Sequence, residues 1–340
     1  MPVKVLVVDD SALIRVVVSR LLEQDPEIKV AGTAANGLEA LEKVVSLRPD
    51  VVTMDVEMPG LNGLAALKRI MREHPLPVIM LSAHTTVGAR DTMEALSSGA
   101  VDFVAKPARQ ADVPVMAREL CEKIKVAARV VLRRREAAPA PKPAPAPRRA
   151  GGGTTELVVI GSSTGGPVAL QNILGAWPAS LGAAVVIVQH LPVGFSQSLA
   201  DHLGKKTALS VRHAENNDPV LPGRVLVAPA GADLLFRDRH VQVRPVEQPH
   251  PRGSFHPSVD GVMTSAAEVF GARSMGVLLT GMGRDGAKGM GRIKLAGGRT
   301  IAQDKDSCAV YGMPRAAVEE GAVDRVVPLS QIAGEVLHLL

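Results

Sequence analysis

The chain has 340 residues, enough for about two domains of ordinary size, and a formal charge of +5. Six basic residues and one acid lie between Arg133 and Arg149, so the whole excess sits in one short segment, which argues against a nucleic-acid-binding surface elsewhere. Apolar residues make up 46% and aromatics 2%, so the cores must be Val, Leu, Ile, Ala and Met, while the two cysteines, Cys121 and Cys308, form no CxxC pair and suggest neither a structural metal nor a disulfide framework.

The first 125 residues alternate apolar runs with amphipathic stretches. Val3–Val8, Ile28–Gly32, Val51–Met54, Val78–Leu81 and Val101–Ala105 read as strands. The runs are uninterrupted, as parallel strands covered on both faces require. Ala12–Glu23, Gly37–Ser46 and Gly63–Arg72 read as helices between them. Five βα units of this length predict a flavodoxin-like domain with a five-stranded parallel sheet.

Residues 126–153 form an Ala/Pro-rich basic linker, whose last 21 residues read RRREAAPAPKPAPAPRRAGGG. It has too little apolar surface to offset the entropy of ordering. Alternating Pro favours an extended chain of roughly 3.1 Å per residue.

From 154 to 340 a second alternation begins. Leu157–Ile160, Ala184–Gln189, Val225–Ala228, Val277–Thr280, Thr300–Ala302 and Arg325–Val327 read as strands, and Leu234–Phe236 with Val241–Val243 as a hairpin. A doubly wound, mostly parallel α/β domain is predicted. The start, MPVKVLVVDD, reaches two aspartates by residue 10, so no signal peptide is expected. No apolar run approaches the roughly 20 residues of a membrane helix. A cytoplasmic protein is the expectation.

Asp9 and Asp10 follow the first strand, Asp55 the third, Ser82 the fourth and Lys106 the fifth. The C-terminal ends of parallel strands share one edge, where ligands bind. Three carboxylates converging there repel one another unless a hard cation such as Mg²⁺ sits among them. Lys106 can pair with an added phosphoryl group, and Ser82 can hydrogen-bond its oxygen. This ordered set resembles the receiver domain of two-component response regulators. The resemblance implies that Asp55, in VVTMDVEMPGLNG, is the phosphoacceptor. It implies that Asp9, Asp10, Asp55 and the backbone carbonyl of Glu57 hold the metal. Ser82, Lys106 and the aromatic Phe103 match the receiver's switch residues.

In the second half Ser162 and Ser163 follow LVVIG and precede TGGP, His190 follows AVVIVQ, and Asp285 lies in TGMGRDG after GVLLTG. If the three strands are neighbours, these side chains meet at one sheet edge. A serine nucleophile needs a base, and the imidazole needs a carboxylate to set its tautomer. Backbone N–H groups at the following helix start can stabilise an oxyanion. GSSTGG alone also fits a phosphate-cradling loop. GMGRDG with Asp304 further on fits a dinucleotide-binding pattern, which leaves a receiver with a dinucleotide-binding output as an alternative. A DNA-binding output is the third class, disfavoured by the charge distribution.

Taken together, GSSTGGP, QHLPVGF, FHPSVD and TGMGRDGAKGM resemble the catalytic domain of the chemotaxis receptor protein-glutamate methylesterase family (CheB). The resemblance implies that Ser163 is the nucleophile, His190 the general base and Asp285 the orienting acid. Thr164 and the backbone at Met282 match residues lining the site and its oxyanion hole, and His256 matches a cleft residue. The implied activity is hydrolysis of glutamate methyl esters, and of glutamine amides, on methyl-accepting chemoreceptors. A chemotaxis histidine kinase is the implied phosphodonor. No cofactor is expected for the ester reaction. The layout further predicts that the unphosphorylated receiver covers the Ser163 cleft and that phosphorylation of Asp55 opens it.

Overall fold

The computed structural model describes residues 1–83, 85–107, 109–130, 155–246 and 255–340. It divides into two compact units, Met1–Glu136 and Ala137–Leu340. The core of the linker predicted for 126–153 lies outside the described residues.

In the first unit, β1 (Val3–Val8), β2 (Ile28–Ala34), β3 (Val51–Asp55), β4 (Val78–Ser82) and β5 (Asp102–Ala105) alternate with five helices. These are α1 (Ala12–Leu22), α2 (Gly37–Leu47), α3 (Gly63–Glu73), α4 (Thr86–Ser97) and α5 (Val113–Ala127). The sheet order is β2-β1-β3-β4-β5, every pair parallel. The continuous Val, Ile, Leu and Met runs are buried on both faces of the sheet. Ser11, Asn36, Asn62 and Thr85 start the first four helices by accepting a backbone N–H of the first turn. The core continues past residue 125, because Ala127 is buried in it and Ala128 and Val130 pack against it. Register aligns the strand ends: Val8 pairs with Met54, Asp55 with Leu81 and Ser82 with Ala105.

The second unit carries β6 (Leu157–Ser162), α6 (Gly166–Gly175), β7 (Ala184–Gln189), α7 (Ser196–Gly204), β8 (Ser210–His213) and β9 (Arg224–Val227). A hairpin follows, β10 (Ala232–Arg237) and β11 (His240–Pro245). Then come α8 (Val259–Phe270), β12 (Ser274–Leu278), α9 (Ala287–Leu295), β13 (Arg299–Gln303), α10 (Met313–Glu319), β14 (Arg325–Val327) and α11 (Leu329–Leu339). Seven strands form a parallel sheet in the order β14-β13-β12-β6-β7-β9-β8. From β6 the chain builds toward β8, then returns to the other side of β6 as β12. The switch of direction therefore falls between β6 and β12, where the strand ends leave a crevice.

Two local features depart from the sequence reading. β8 has no apolar run and was not among the predicted strands. It is an edge strand, paired among the described residues only with β9, with alternate residues exposed. The strand predicted at Val277–Thr280 is β12, shifted to Ser274–Leu278. It stops short of Thr280 because the Thr280 N–H goes to the Gln303 side chain (2.9 Å).

Candidate active site and acidic pocket

β6 lies between β7 and β12, so the loops carrying Ser163, His190 and Asp285 leave three adjacent strand ends. The His190 Nε2 atom is 2.8 Å from Asp285 Oδ2. Its Nδ1 atom is buried with no hydrogen-bond partner among the described residues. Phe255 stacks flat on the imidazole, ring centroids 3.8 Å apart and planes within 7°. One face of the ring is thereby covered, although Phe255 itself stays exposed.

Asp285 also holds the start of α8. It accepts from Ser258 Oγ (2.9 Å), Val259 N (2.8 Å) and Asp260 N (2.9 Å). Burial alone would raise its pKa. The His190 bond, together with the backbone N–H groups of Asp260 and Val259, outweighs burial and lowers it. Asp260 goes the other way. Burial pushes its carboxyl up, and the neighbouring Asp285 charge adds to this, despite N–H bonds from Gly289 and Gly286.

The two adjacent serines have different environments. Ser162 is the last residue of β6, fully buried, and donates to Gln189 Oε1 at 2.6 Å. Ser163 is half-buried at the turn before α6. Its N–H donates to Thr280 O (3.0 Å), and its carbonyl accepts from Gly166 N (2.8 Å). A side chain at Gly281 would meet Ser163 Cβ at 2.8 Å, so glycine there lets the loop after β12 close against the serine. Thr164 is buried, and its carbonyl accepts from Thr280 Oγ1 (2.9 Å). Met282 lies half-buried in that same loop, its backbone packed against Gly312.

His256 is turned toward Asp233, with Nδ1 and Oδ1 2.7 Å apart, and its carbonyl accepts from Gly231 N (2.8 Å). In the GMGRDG run, Asp285 faces His190 and Asp304 is held by Ser307 (3.0 Å from its N–H). Both acids of the dinucleotide pattern therefore serve the fold's own loops.

In the first unit, ligand oxygens of Asp9, Asp10 and Asp55 lie within 4.8 Å of one another. Lys106 Nζ stands 2.8 Å from Asp9 Oδ2 and 2.7 Å from Asp55 Oδ2. Burial raises the Asp55 pKa, and the Asp9 charge adds to it, against the pull of Lys106. Burial works to lower the Lys106 pKa, but its bonds to Asp55 and Asp9 prevail and raise it. Glu57 N approaches Asp55 Oδ1 at 3.3 Å. Ser82 is buried, its hydroxyl 2.8 Å from that of Thr92 on α4. Phe103 is buried in β5 beneath Lys123, whose Nζ is 5.5 Å from the ring centroid and donates to the Phe103 carbonyl (2.6 Å).

Sequence reasoning missed Gln189, Ser258, Asp260, Thr280 and Gln303 around the Ser163 loop, and Thr92 and Lys123 in the first unit. Only Gln189 carried a signal, as the residue before His190 at a strand end. The others act through contacts made by folding.

Comparison with known proteins agrees with this layout. The CheB methylesterase family model matches residues 158–336, and the response regulator receiver domain model matches residues 5–118. The chain is 48% identical over 340 residues to a protein-glutamate methylesterase/protein-glutamine glutaminase of Carboxydothermus hydrogenoformans, covering 98% of each chain. It is 47% identical to a protein of the same name from Symbiobacterium thermophilum, covering 98% of this chain and 95% of the relative. The crystal structure of the Thermotoga maritima CheB methylesterase catalytic domain superposes with a TM-score of 0.51 at 39% identity, over 54% of this chain and 98% of that one. The chain belongs to the CheB methylesterase family, with a response-regulator receiver domain ahead of the esterase domain.

Proposed function

We propose that this chain is a phosphorylation-activated carboxyl-ester hydrolase. Its substrates are γ-glutamyl methyl esters on the cytoplasmic helices of chemoreceptors, and the corresponding glutamine amides form a second class. The observation that carries this reading is the 2.8 Å contact between His190 and Asp285 at strand ends flanking Ser163. The names of the relatives point to the same pair of activities.

Asp285 holds the proton on His190 Nε2, which leaves Nδ1 as the base. Ser163 Oγ attacks the ester carbonyl, and its proton passes to Nδ1. The C–Oγ bond forms, and the oxyanion is met by backbone N–H groups beside Thr164 and Met282. Collapse breaks the bond to methoxide, which takes the proton from Nδ1 and leaves as methanol. Water then attacks the acyl-enzyme and gives a proton to Nδ1; the C–Oγ bond breaks, Nδ1 returns the proton to Ser163 Oγ, and glutamate is released. With an amide, ammonia leaves instead. His256 lines the cleft beside Phe255.

The acidic set suits a hard divalent cation such as Mg²⁺, because its donors are oxygens and the exposed Asp10 leaves room for water. Asp9, Asp10, Asp55 and the Glu57 carbonyl would hold it, and when bound it neutralises charge during phosphoryl transfer to Asp55. A histidine kinase is the phosphodonor class. Lys106 then pairs with the phosphoryl group, Ser82 hydrogen-bonds it, and Phe103 follows the switch.

The test is methanol release from methylated receptor membranes by the wild type, Ser163→Ala and Asp55→Asn, each with and without a small-molecule phosphodonor and Mg²⁺. Release should rise with the phosphodonor, vanish in Ser163→Ala, and stay basal in Asp55→Asn. A chain beginning at Gly151 should exceed the whole chain in basal release, and equal release would remove inhibition by the receiver from the reading. No release from the wild type under any condition would overturn the function.

A further inference from the structure

Gln189 ends β7 and is 3% exposed. Its Oε1 accepts from Ser162 Oγ (2.6 Å), while Nε2 donates to the carbonyls of Ser163 (2.9 Å) and His190 (3.0 Å). The amide has one workable orientation. Flipped, its oxygen would face two carbonyl oxygens, and neither can donate. The buried Ser162 hydroxyl supplies the donor that the Oε1 end needs.

The space for this arrangement comes from Gly166, at the start of α6. A side chain there would place Cβ 2.0 Å from Gln189 Oε1 and 2.8 Å from Ser162 Oγ. Glycine lets the amide reach beneath the turn that carries Ser163. One side chain thus ties the backbone of residue 163 to that of residue 190. The main chain adds a parallel tie, His190 N to Ser162 O (3.0 Å).

We propose that the Ser162–Gln189 pair is a positioning clamp for Ser163 and His190. Gln189 sets the distance between the two loops, and Ser162 satisfies the buried Oε1 end of its amide. Neither side chain meets the reacting atoms; both act through the backbone of the residues that do. The inference rests on the esterase reading above and adds to it two residues that do not touch the substrate.

The test uses the full chain carrying Gln189→Leu, Gln189→Glu or Ser162→Ala. Methanol release yields kcat and KM. The rate at which a fluorophosphonate labels Ser163 reports nucleophile reactivity without any receptor. A misplacement of about 1 Å can cost on the order of 100-fold. Gln189→Leu keeps the size and loses both hydrogen-bonding ends. It should lower kcat and the labelling rate by about 10- to 100-fold, with KM within about twofold. Ser162→Ala keeps both carbonyl bonds and should lose only about threefold.

Gln189→Glu gives a signature that general loosening would not. Its carboxylate would face two carbonyl oxygens and repel them; only the protonated form donates, to one of them. Activity relative to wild type should rise as pH falls. Equal kcat and labelling rate in wild type and Gln189→Leu, or a loss carried by KM alone, would overturn the clamp. If Gln189→Leu does not fold, a flat activity ratio in Gln189→Glu overturns it instead. A wild type that labels at Ser163 but releases no methanol would sink the receptor-ester reading, and the labelling rates would still decide the clamp.

Discussion

The carboxylates of Asp285 and Asp260 each hold the start of the helix beside the other. Asp285 accepts the first N–H groups of α8, on which Asp260 sits. Asp260 Oδ1 accepts from Gly286 N (2.9 Å) and Gly289 N (2.8 Å), at the start of the α9 helix that follows Asp285. The acid facing His190 is thereby held by secondary structure on both sides, and helix N-termini favour its charged form.

Two substitutions separate the roles of Asp285. Asp285→Asn keeps one acceptor oxygen, able to take Asp260 N and Ser258 Oγ, but its amide nitrogen replaces the oxygen that met Val259 N and His190, so it no longer sets the His190 tautomer. Its kcat should fall on the order of 10,000-fold, with a stability loss of about 1 kcal/mol for the Val259 N–H left without its acceptor. Asp285→Ala leaves Ser258 as the cap of α8 but removes the acceptor of Asp260 N as well, and should lose about 1 kcal/mol more. Steady-state kinetics and thermal melts of both variants check this.

The acidic pocket should carry a pH-dependent cost. Burial, and then Asp9, raise the Asp55 pKa above its ordinary 3.8. A carboxyl raised in the folded state contributes its stability below the unfolded value and loses it as pH rises through the folded value. The melting-temperature advantage of Asp55→Asn over wild type should therefore grow from about pH 4 to pH 7. A gain of about 1 kcal/mol corresponds to roughly 4 °C for a domain of this size. Mg²⁺ should narrow the gap, because it relieves the same repulsion. Calorimetry of both chains with and without Mg²⁺ would show it.

Lys106 competes with a metal for the same carboxylates, since its ammonium sits between Asp9 and Asp55. Lys106→Ala should bind Mg²⁺ about fivefold more tightly, the equivalent of a pair worth roughly 1 kcal/mol. The same variant should lose the response to phosphodonors. Isothermal titration and methanol release measure the two effects independently, and weaker Mg²⁺ binding would contradict the competition.

Cys308 should be inert. Burial, and then the Asp304 charge, push its thiol up to about 12. At neutral pH the reactive thiolate is then scarce. Iodoacetamide should leave Cys308 unmodified in the native chain and label it after denaturation. Peptide mapping by mass spectrometry reads this directly, and native labelling that slows turnover would contradict it.

The acids of the first unit were legible because β1, β3 and β4 are largely apolar, with a site residue at or just past the strand end. Val3–Val8 leading to Asp9 and Val78–Leu81 leading to Ser82 show this, and burial on both faces demands it. The Ser163, His190 and Asp285 positions were legible for the same reason, since each follows an apolar run. β8 was not, because an edge strand half in solvent needs no apolar run. The choice between Ser162 and Ser163 was open in the residues alone; burial and the Gln189 bond distinguish them. Local patterning along the chain determined where the chemistry-bearing loops begin. Only the tertiary structure decided that β6 lies between β7 and β12, that Nε2 of His190 faces Asp285, and that Gln189, Asp260 and Phe255 surround them. Those contacts join residues tens of positions apart, and only packing of the folded sheet brings them within hydrogen-bond distance.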